Sequence, residues 1–194
     1  MVHKKLAGLK YMGGHTMFAN RGVSIIFACL LLGACGTPQL FPKSVTDGVD
    51  TNFDFIVWRN APNAKVDQKI QIGGKVHGAE SQGNETIIVA IQLPIVEHPA
   101  YGPKDTGKRT GEFAIVFAGK LPPNTLADGH RIIAVGTTQK ARVVTVDDSK
   151  RTLPTLQAHC VHIWKTGGRD IADFSSVGAG YETLEEDTYC ATGY

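Results

Sequence analysis

Four cysteines and a histidine-rich stretch are the residues of this 194-residue chain whose types and spacing most directly suggest chemistry. Thiolates act as nucleophiles and metal ligands, and zinc also accepts imidazole nitrogen. His159, Cys160 and His162 form a compact His-Cys-x-His cluster. Side chains three positions apart on a strand point to opposite faces, so the two imidazoles do not converge on one ion. The cluster is therefore interpreted as part of a mixed barrel wall, and no metal is predicted.

The segment Gly102–Arg109 has the glycines and lysine of a phosphate-binding loop but lacks its hydroxyl. A P-loop needs Ser or Thr after the lysine and a helix beyond it. Here Arg109 follows Lys108, and residues 112–118 have a strand pattern. The loop is interpreted as solvated, with contact to anionic lipid headgroups as an alternative. No nucleophile with an adjacent base is recognisable elsewhere, so neither an enzyme nor a cofactor is predicted.

Charge is distributed unevenly along the chain. Residues 1–34 contain four of the 20 basic residues and none of the 18 acidic ones. Without this segment, 16 basic and 18 acidic residues remain, which changes the formal charge from +2 to −2. A slightly acidic remainder gives no electrostatic reason to bind nucleic acid, and none is predicted as a partner.

The N-terminal segment has the parts of a secretory signal. Basic residues precede Val23–Leu32, a run of ten residues without a charge, and small residues follow it. The run is too short for a transmembrane helix, which needs about 20 residues. It matches the apolar region of an export signal instead. Met1 and Met17 both remain plausible starts.

Leu32-Gly33-Ala34-Cys35 resembles the lipobox of bacterial lipoproteins. The resemblance implies that the Cys35 thiol receives a diacylglycerol and that residues 1–34 are removed by cleavage between Ala34 and Cys35. Several acyl chains anchor a protein stably, whereas one binds only marginally. Gly36, in place of an aspartate, implies the outer membrane. An unmodified Cys35 after a plain signal peptide is the alternative.

The other cysteines have different predicted fates. Cys29 lies in the segment that is removed, which leaves Cys160 and Cys190 in a compartment where disulfides persist. A Cys160–Cys190 bridge would tie the C-terminal tail to the last predicted strand. Sequence does not fix the distance between the two residues, so the pairing stays open.

The remainder of the chain has an all-β pattern. Residues 35–53 are polar and are interpreted as a lipidated tether, whereas 54–59 suit a short helix or strand. Short strands, frequent turns and a Gly73-Gly74 pair suited to a bulge or bend predict a small OB-like β-barrel of five to six strands over 54–166. Residues 167–194 are predicted to be a loosely ordered acidic tail. The predicted strands are 68–76, 85–93, 112–118, 131–135 and 159–164, with 141–146 as a sixth piece or an extension of the fourth.

Three stretches resemble the Slp-type (starvation-inducible) outer-membrane lipoproteins of Gram-negative bacteria. Residues 55–76 resemble the family's opening block, which ends in Gly-Gly-Lys-Val, and 112–136 resemble its next block of two strands around a Leu-Pro turn. Residues 157–164 resemble the closing strand more loosely. The resemblance implies a non-enzymatic envelope component linked to starvation and stress. The acidic tail with Cys190 departs from the family pattern, so no role is carried over to it.

Two functions fit these observations. The first is a non-enzymatic lipoprotein, anchored by membrane lipid at the outer membrane, with an envelope or stress role. The second is a periplasm-facing module whose barrel binds a glycan or an envelope protein. OB-like barrels bind oligomers on one face, for which aromatic side chains are suitable platforms. Trp58 and Trp164 are the only tryptophans, and Trp164 is the candidate for an exposed platform.

Overall fold

A computed structural model describes residues 39–108, 110–122, 124–174 and 182–193. Within these residues no helix is long and apolar enough to cross a membrane. The helices are α1 (Lys43–Thr46) and α2 (Phe55–Asn60), with 3-10 turns at Pro62–Ala64 and Ile171–Asp173. The strands are β1 (Lys69–Gln82), β2 (Glu85–Leu93), β3 (Ile95–Val96), β4 (Gly102–Pro103), β5 (Glu112–Ala118), β6 (Arg131–Val146), β7 (Ser149–Trp164) and β8 (Glu186–Cys190).

Five strands form a closed ring. Antiparallel pairs follow the order β5-β2-β1-β6-β7, and a parallel pairing of β5 with β7, Ala114–Phe117 against Thr155–Ala158, closes the ring. β8 pairs with the C-terminal end of β7 as a sixth strand. A short separate pair, β3 with β4, lies outside this sheet. The closed sheet confirms the prediction of a small OB-like β-barrel of five to six strands.

The side chains of alternate strand residues fill the inside of the ring. Successive side chains point to opposite faces, so Ile88 and Ala90 lie inside whereas Ile87 and Val89 lie outside. All five ring strands contribute inward side chains to one apolar cluster. Each fully buried aliphatic side chain stabilises the fold by about 1.5–3 kcal/mol relative to an exposed one. Representative members are Ile70, Ile88, Phe113, Ile115, Ile132 and Leu156.

β6 and β7 are longer than the sequence pattern predicts. The predicted pieces 131–135 and 141–146 are one continuous strand, and β7 begins ten residues before the predicted start at 159. Asp147 and Asp148 form the two-residue turn between them, with φ of +47° and +60°. Positive φ at both central residues is what a type I′ hairpin turn requires, and aspartate tolerates it better than most residues.

The distal half of this hairpin folds over the outside of the ring. The ladder between β6 and β7 is irregular between Gln139 and Arg142, and Pro154 lies opposite this bulge, where a strand tolerates proline. Beyond the bulge, apolar side chains of the hairpin pack against outward residues of β2 and β5. The cluster comprises Val144, Val146 and Leu153 of the hairpin with Ile87, Val89 and Ala114 of the ring.

The glycine pair in β1 serves close packing, and the bulge lies elsewhere. The irregularity of the β1–β2 ladder falls between Val76 and Gly78, not at Gly73-Gly74 as predicted. A Cβ at Gly74 would lie 2.9 Å from the carbonyl oxygen of Ile91, and one at Gly73 would lie 2.9 Å from that of Leu93. A side chain at either position would therefore push β1 and β2 apart.

The segment predicted to be a lipidated tether packs against the domain from Leu40 onward. Phe41 and Val45 are 4% and 0% exposed, because they lie on outward residues of β6 and β7 such as Ile133. Their apolar contacts outweigh the polar composition on which the tether prediction was based. In the described residues, only Gln39 precedes this packed segment.

The acidic tail is also more ordered than predicted. Glu186–Cys190 is strand β8, and Leu184 is buried in the same outer cluster as Phe41. The carboxylates of this tail contact Lys165, Arg169 or His162, while apolar residues such as Leu184 pack inward. The prediction of a loosely ordered tail was wrong for these residues; 175–181 lie outside the described part of the chain.

A buried arginine fixes the start of the tail. Arg131 is 2% exposed, and its guanidinium donates to the carboxylate of Asp170 at 3.0 Å and to the carbonyl of Gly129 at 3.3 Å. Asp170 also caps the 3-10 turn Ile171–Asp173. Because a buried charge left without its partner is costly, this ion pair favours the docked position of the turn.

Helix α2 packs into one part of the inner cluster through its aromatic residues. Trp58 is fully buried, and its ring and that of Phe55 lie 6.3 Å and 5.9 Å from the ring of Phe113. The Asp54 carboxylate accepts hydrogen bonds from the backbone amides of Ile56 and Val57 at 2.8 Å and 3.2 Å. The side chain thus satisfies two of the four amides that a helix start leaves unpaired.

Asp54→Ala is expected to lower the free energy of unfolding by about 1 kcal/mol, because the two capped amides lose their acceptor. Chemical denaturation of the domain measures the change. Asp54→Asn is the matched control, since asparagine caps a helix equally well and should leave stability near that of the wild type. Equal destabilisation by both variants would contradict the capping role.

Candidate functional site

The predicted lipid-acceptor site lies outside the described residues. Ala34 and Cys35 both precede Gln39, where the structural description begins. Lipidation of Cys35 and cleavage after Ala34 therefore stay predictions. What the structure shows is the segment that would follow the anchor, with Phe41 six residues from Cys35 and already buried.

Cys160 and Cys190, the pair left open by the sequence, form a disulfide that joins β7 to β8. The two residues are direct partners in the antiparallel ladder. Both belong to the outer apolar cluster, in which Cys160 is fully buried. The bridge closes a loop with a sequence separation of 30 and so ties the tail to the ring.

His162, the second histidine of the His-Cys-x-His cluster, is buried beside a hydroxyl and a carboxylate. Its Nδ1 lies 2.6 Å from Thr188 Oγ1 and its Nε2 lies 3.4 Å from a Glu186 carboxylate oxygen. Burial lowers the pKa of His162, and the nearby Glu186 carboxylate opposes that shift. Phe41 and Trp164 pack edge-on against the imidazole, with ring centroids at 6.5 Å and 4.2 Å.

Hydroxyl, imidazole and carboxylate together are the groups used for nucleophilic catalysis. Here the imidazole is 4% exposed, so a substrate cannot reach it. The three residues are cross-strand neighbours on β7 and β8, and their geometry follows from strand pairing. We interpret the set as a structural link that holds β8 in place.

His159 does not join His162 in a common site. Its Nε2 lies 3.2 Å from Thr137 Oγ1, and burial lowers its pKa, with a further contribution from the charge of Lys69. His159 falls at an irregularity in the β6–β7 ladder, between the residues that pair with Val135 and Gly136. Among the described residues, no group of three or more His, Cys, Asp or Glu side chains is placed to hold a metal ion.

A charged network on the outside of the ring was not foreseen from the sequence. His77 Nε2 lies 3.1 Å from the Asp147 carboxylate at the tip of the hairpin and 3.9 Å from that of Glu112. Arg151 donates to both oxygens of Glu112, at 2.7 Å and 2.9 Å, and this carboxylate raises the pKa of Arg151. The members come from three separate parts of the chain, so no local sequence pattern reveals them.

The network borders a cavity of about 180 Å³ between the β1–β2 strands and the hairpin. Its lining is mixed, with apolar side chains such as Ile87 and Val144 beside His77, Glu80 and Asp147. The carboxylates of Asp147 and Glu112 already contact His77 and Arg151, respectively. The arrangement holds the hairpin tip against β1.

The glycine- and lysine-containing loop has no phosphate-binding geometry. Its first two residues form β4, and the strand β5 follows it, as the sequence predicted, where a P-loop requires a helix. The Asp105 carboxylate accepts from the amide of Gly107 at 2.9 Å and pairs with Lys75 at 3.4 Å, which lowers the pKa of Asp105. Arg109 lies outside the described residues.

Neither tryptophan offers an exposed platform. Trp58 is 0% exposed inside the ring and Trp164 is 2% exposed under the outer cluster, which corrects the expectation for Trp164. Sequence position at a strand end suggested exposure, but the N-terminal segment and the tail cover that end. The outer face of β2 and β5 is likewise covered, by the chain's own hairpin.

The described residues form a five-stranded closed β-domain, and its packed N-terminal segment lies shortly after a lipobox-like cysteine. This combination fits the class of small lipoproteins. A model of the outer membrane lipoprotein Slp family matches residues 32–183. The match covers more than three quarters of the chain, which therefore belongs to the Slp family of outer membrane lipoproteins. A search of curated proteins gave no match.

The disulfide is expected to contribute about 3–4 kcal/mol to stability, as loop-closure entropy predicts for a loop of this size. Replacing both Cys160 and Cys190 by serine should lower the free energy of unfolding by about that amount. Denaturation with and without a reductant provides the control, because the reductant should destabilise the wild type and leave the double variant unchanged. An unaltered midpoint in the double variant would show that packing alone holds β8.

Stability is expected to fall as the pH is lowered below about 6.5, the ordinary pKa of histidine. Burial lowers the pKa values of His130, His159 and His162 in the folded state, so the unfolded chain binds protons first. Each such proton contributes a slope of at most about 1.4 kcal/mol per pH unit. Thermal or chemical unfolding between pH 7.5 and 5 measures the slope. His162→Gln should flatten it, and a stability that rises on acidification would refute the assignment.

Proposed function

We propose that this chain is a non-enzymatic outer-membrane lipoprotein, anchored through lipid on Cys35 after removal of residues 1–34. The observation that carries the proposal is the family match, which begins at Leu32 and so includes the four residues of the lipobox. The position of this motif, directly after an apolar run of ten residues, supports the same conclusion. Acyl chains on Cys35 would hold the domain at the membrane. In the described part of the chain, no helix is long and apolar enough to cross it.

A role in the envelope without catalysis fits the side chains that the structure brings together. The set around His162 is enclosed, and in the network around His77 the carboxylates of Asp147 and Glu112 contact His77 and Arg151, which fastens the hairpin. In both places the titratable side chains already contact polar or charged groups of the protein itself. The link to starvation or stress rests on the family resemblance and is part of the proposal.

Capture of a glycan or envelope protein is the second candidate. The cavity beside the hairpin favours it, since it combines apolar walls with polar groups at its border. Its volume of about 180 Å³ is below the range of typical ligand sites. With both tryptophans buried, an oligomer would have to bind without a tryptophan platform. We therefore rank this function second.

Metabolic labelling with a clickable palmitate, followed by membrane fractionation, tests the anchor. Cys35→Ser is expected to lose the label and the outer-membrane location, because the thiol that accepts the diacylglycerol is absent. Cys29→Ser is the matched control: this cysteine lies in the segment that is removed, so label and location should persist. A wild type that takes no label and fractionates as a soluble protein would overturn the proposal.

A further inference from the structure

The site at which the N-terminal segment docks determines which side of the domain faces the membrane. Phe41 packs on the outer face of β6 and β7, beside His162 and under the tail residue Leu184. Val45, which follows in α1, is fully buried in the same cluster. The chain is thus fixed to this one side of the ring, called here the docking side, from Phe41 onward.

The link between the proposed anchor and this docking point is short. Six residue steps separate Cys35 from Phe41, and a fully extended chain covers at most about 3.3–3.6 Å per residue, or roughly 20 Å in total. A compact domain of this size has a radius of gyration of about 15 Å and hence a diameter of roughly 40 Å. The link is therefore too short to let the far side of the domain turn toward the lipid.

The hairpin lies on the other side of the ring. In the ring order, β2 is separated from β6 and β7 by one intervening strand in each direction. The hairpin tip covers the outer face of β2 and β5, whereas the N-terminal segment covers that of β6 and β7. These two outer layers consequently mark opposite faces of the closed sheet.

Among the ion pairs of the docking side, carboxylates outnumber cations by three to two. Lys165 pairs with Glu185 and Asp187, each at 3.1 Å, and Arg169 pairs with Glu182. Such a set gives no net attraction to an anionic surface. Proximity to lipid on this side depends on the tether and not on a basic patch, so it should be insensitive to salt.

We propose that the docking side lies against a surface of phospholipid headgroups and that the hairpin tip points away from the membrane. The proposal rests on the proposed lipidation of Cys35 and adds to it the orientation of the domain. The partner is the headgroup surface of the bilayer that holds the acyl chains. The network and cavity around His77 then face the aqueous side.

Quenching by headgroup-attached spin labels tests this orientation on the acylated protein in phosphatidylethanolamine vesicles. A fluorophore is placed on Ser44→Cys, an exposed position in α1, or on Lys150→Cys, an exposed position beside the hairpin tip. Quenching should be greater by about threefold or more at position 44, because the link confines this side to within roughly 20 Å of the headgroups. Raising the salt concentration should leave the ratio unchanged.

An insertion provides the matched control. Twelve Gly and Ser residues placed after Gly36 lengthen the reach by up to about 40 Å and should bring the ratio close to one. The same insertion after Gly83, in the exposed β1–β2 turn, should leave the ratio unchanged. Equal quenching at the two positions in a palmitate-labelled wild type would overturn the orientation alone. Absence of the palmitate label would overturn the anchor itself, and the orientation with it.

Discussion

Backbone pairing between β5 and β7 is the constraint on which the other features of the domain depend. Only four residues of each strand take part, Ala114–Phe117 and Thr155–Ala158, yet this parallel ladder joins the two ends of a five-stranded sheet. A sheet closed in this way leaves no ring strand with an unpaired edge along that ladder, which protects it from pairing with another chain. β7 pairs with β6 along one edge, and it is long enough to pair with both β5, at Thr155–Ala158, and β8, at Cys160–Trp164, along the other.

The length of β7 has consequences at both of its ends. Its first residues continue past the ring with β6 as the hairpin that covers β2 and β5. Its last residues provide the edge to which β8 pairs, and the Cys160–Cys190 disulfide lies there. One strand thereby connects the inner core to both outer apolar layers. The outer layers are needed because the ring strands carry apolar residues on both faces, as Ile87–Ala90 of β2 shows.

How far the sequence predicts this structure depends on whether the signal is local. The strands at 85–93 and 112–118 are apolar and bounded by turns, and the structure has them at those bounds. The first half of β7 was missed because Ser149–Arg151 are polar and Pro154 argues against a strand, although the bulge opposite accommodates it. β8 was missed because its acidic composition outweighed the two residues, Tyr189 and Cys190, that pack.

The candidate site residues also fall into two groups, those with a local sequence signal and those without one. The Leu-Gly-Ala-Cys motif is contiguous, so sequence alone identifies it, whereas the partners of His77 come from residues 35 and 70 positions away. Such networks form only when distant strands pair, and composition does not encode their distances. The exposure of Trp164 failed as a prediction for a related reason, since the residues that cover it, from the N-terminal segment and the tail, are remote in sequence.

The aromatic and titratable residues that would suit a binding or catalytic surface are used within the fold. Trp58 contributes to the inner core, and Trp164 and His162 join the ring to its outer layer. A domain whose ring faces are covered by its own segments presents mainly polar turns and matched ion pairs to its surroundings. Under the proposed lipidation of Cys35, the position imposed by a short membrane link would determine the function of such a domain more strongly than any single exposed group. The N-terminal segment completes an apolar layer of the fold. Under the proposed lipidation of Cys35, it would also limit the distance between that fold and the lipid.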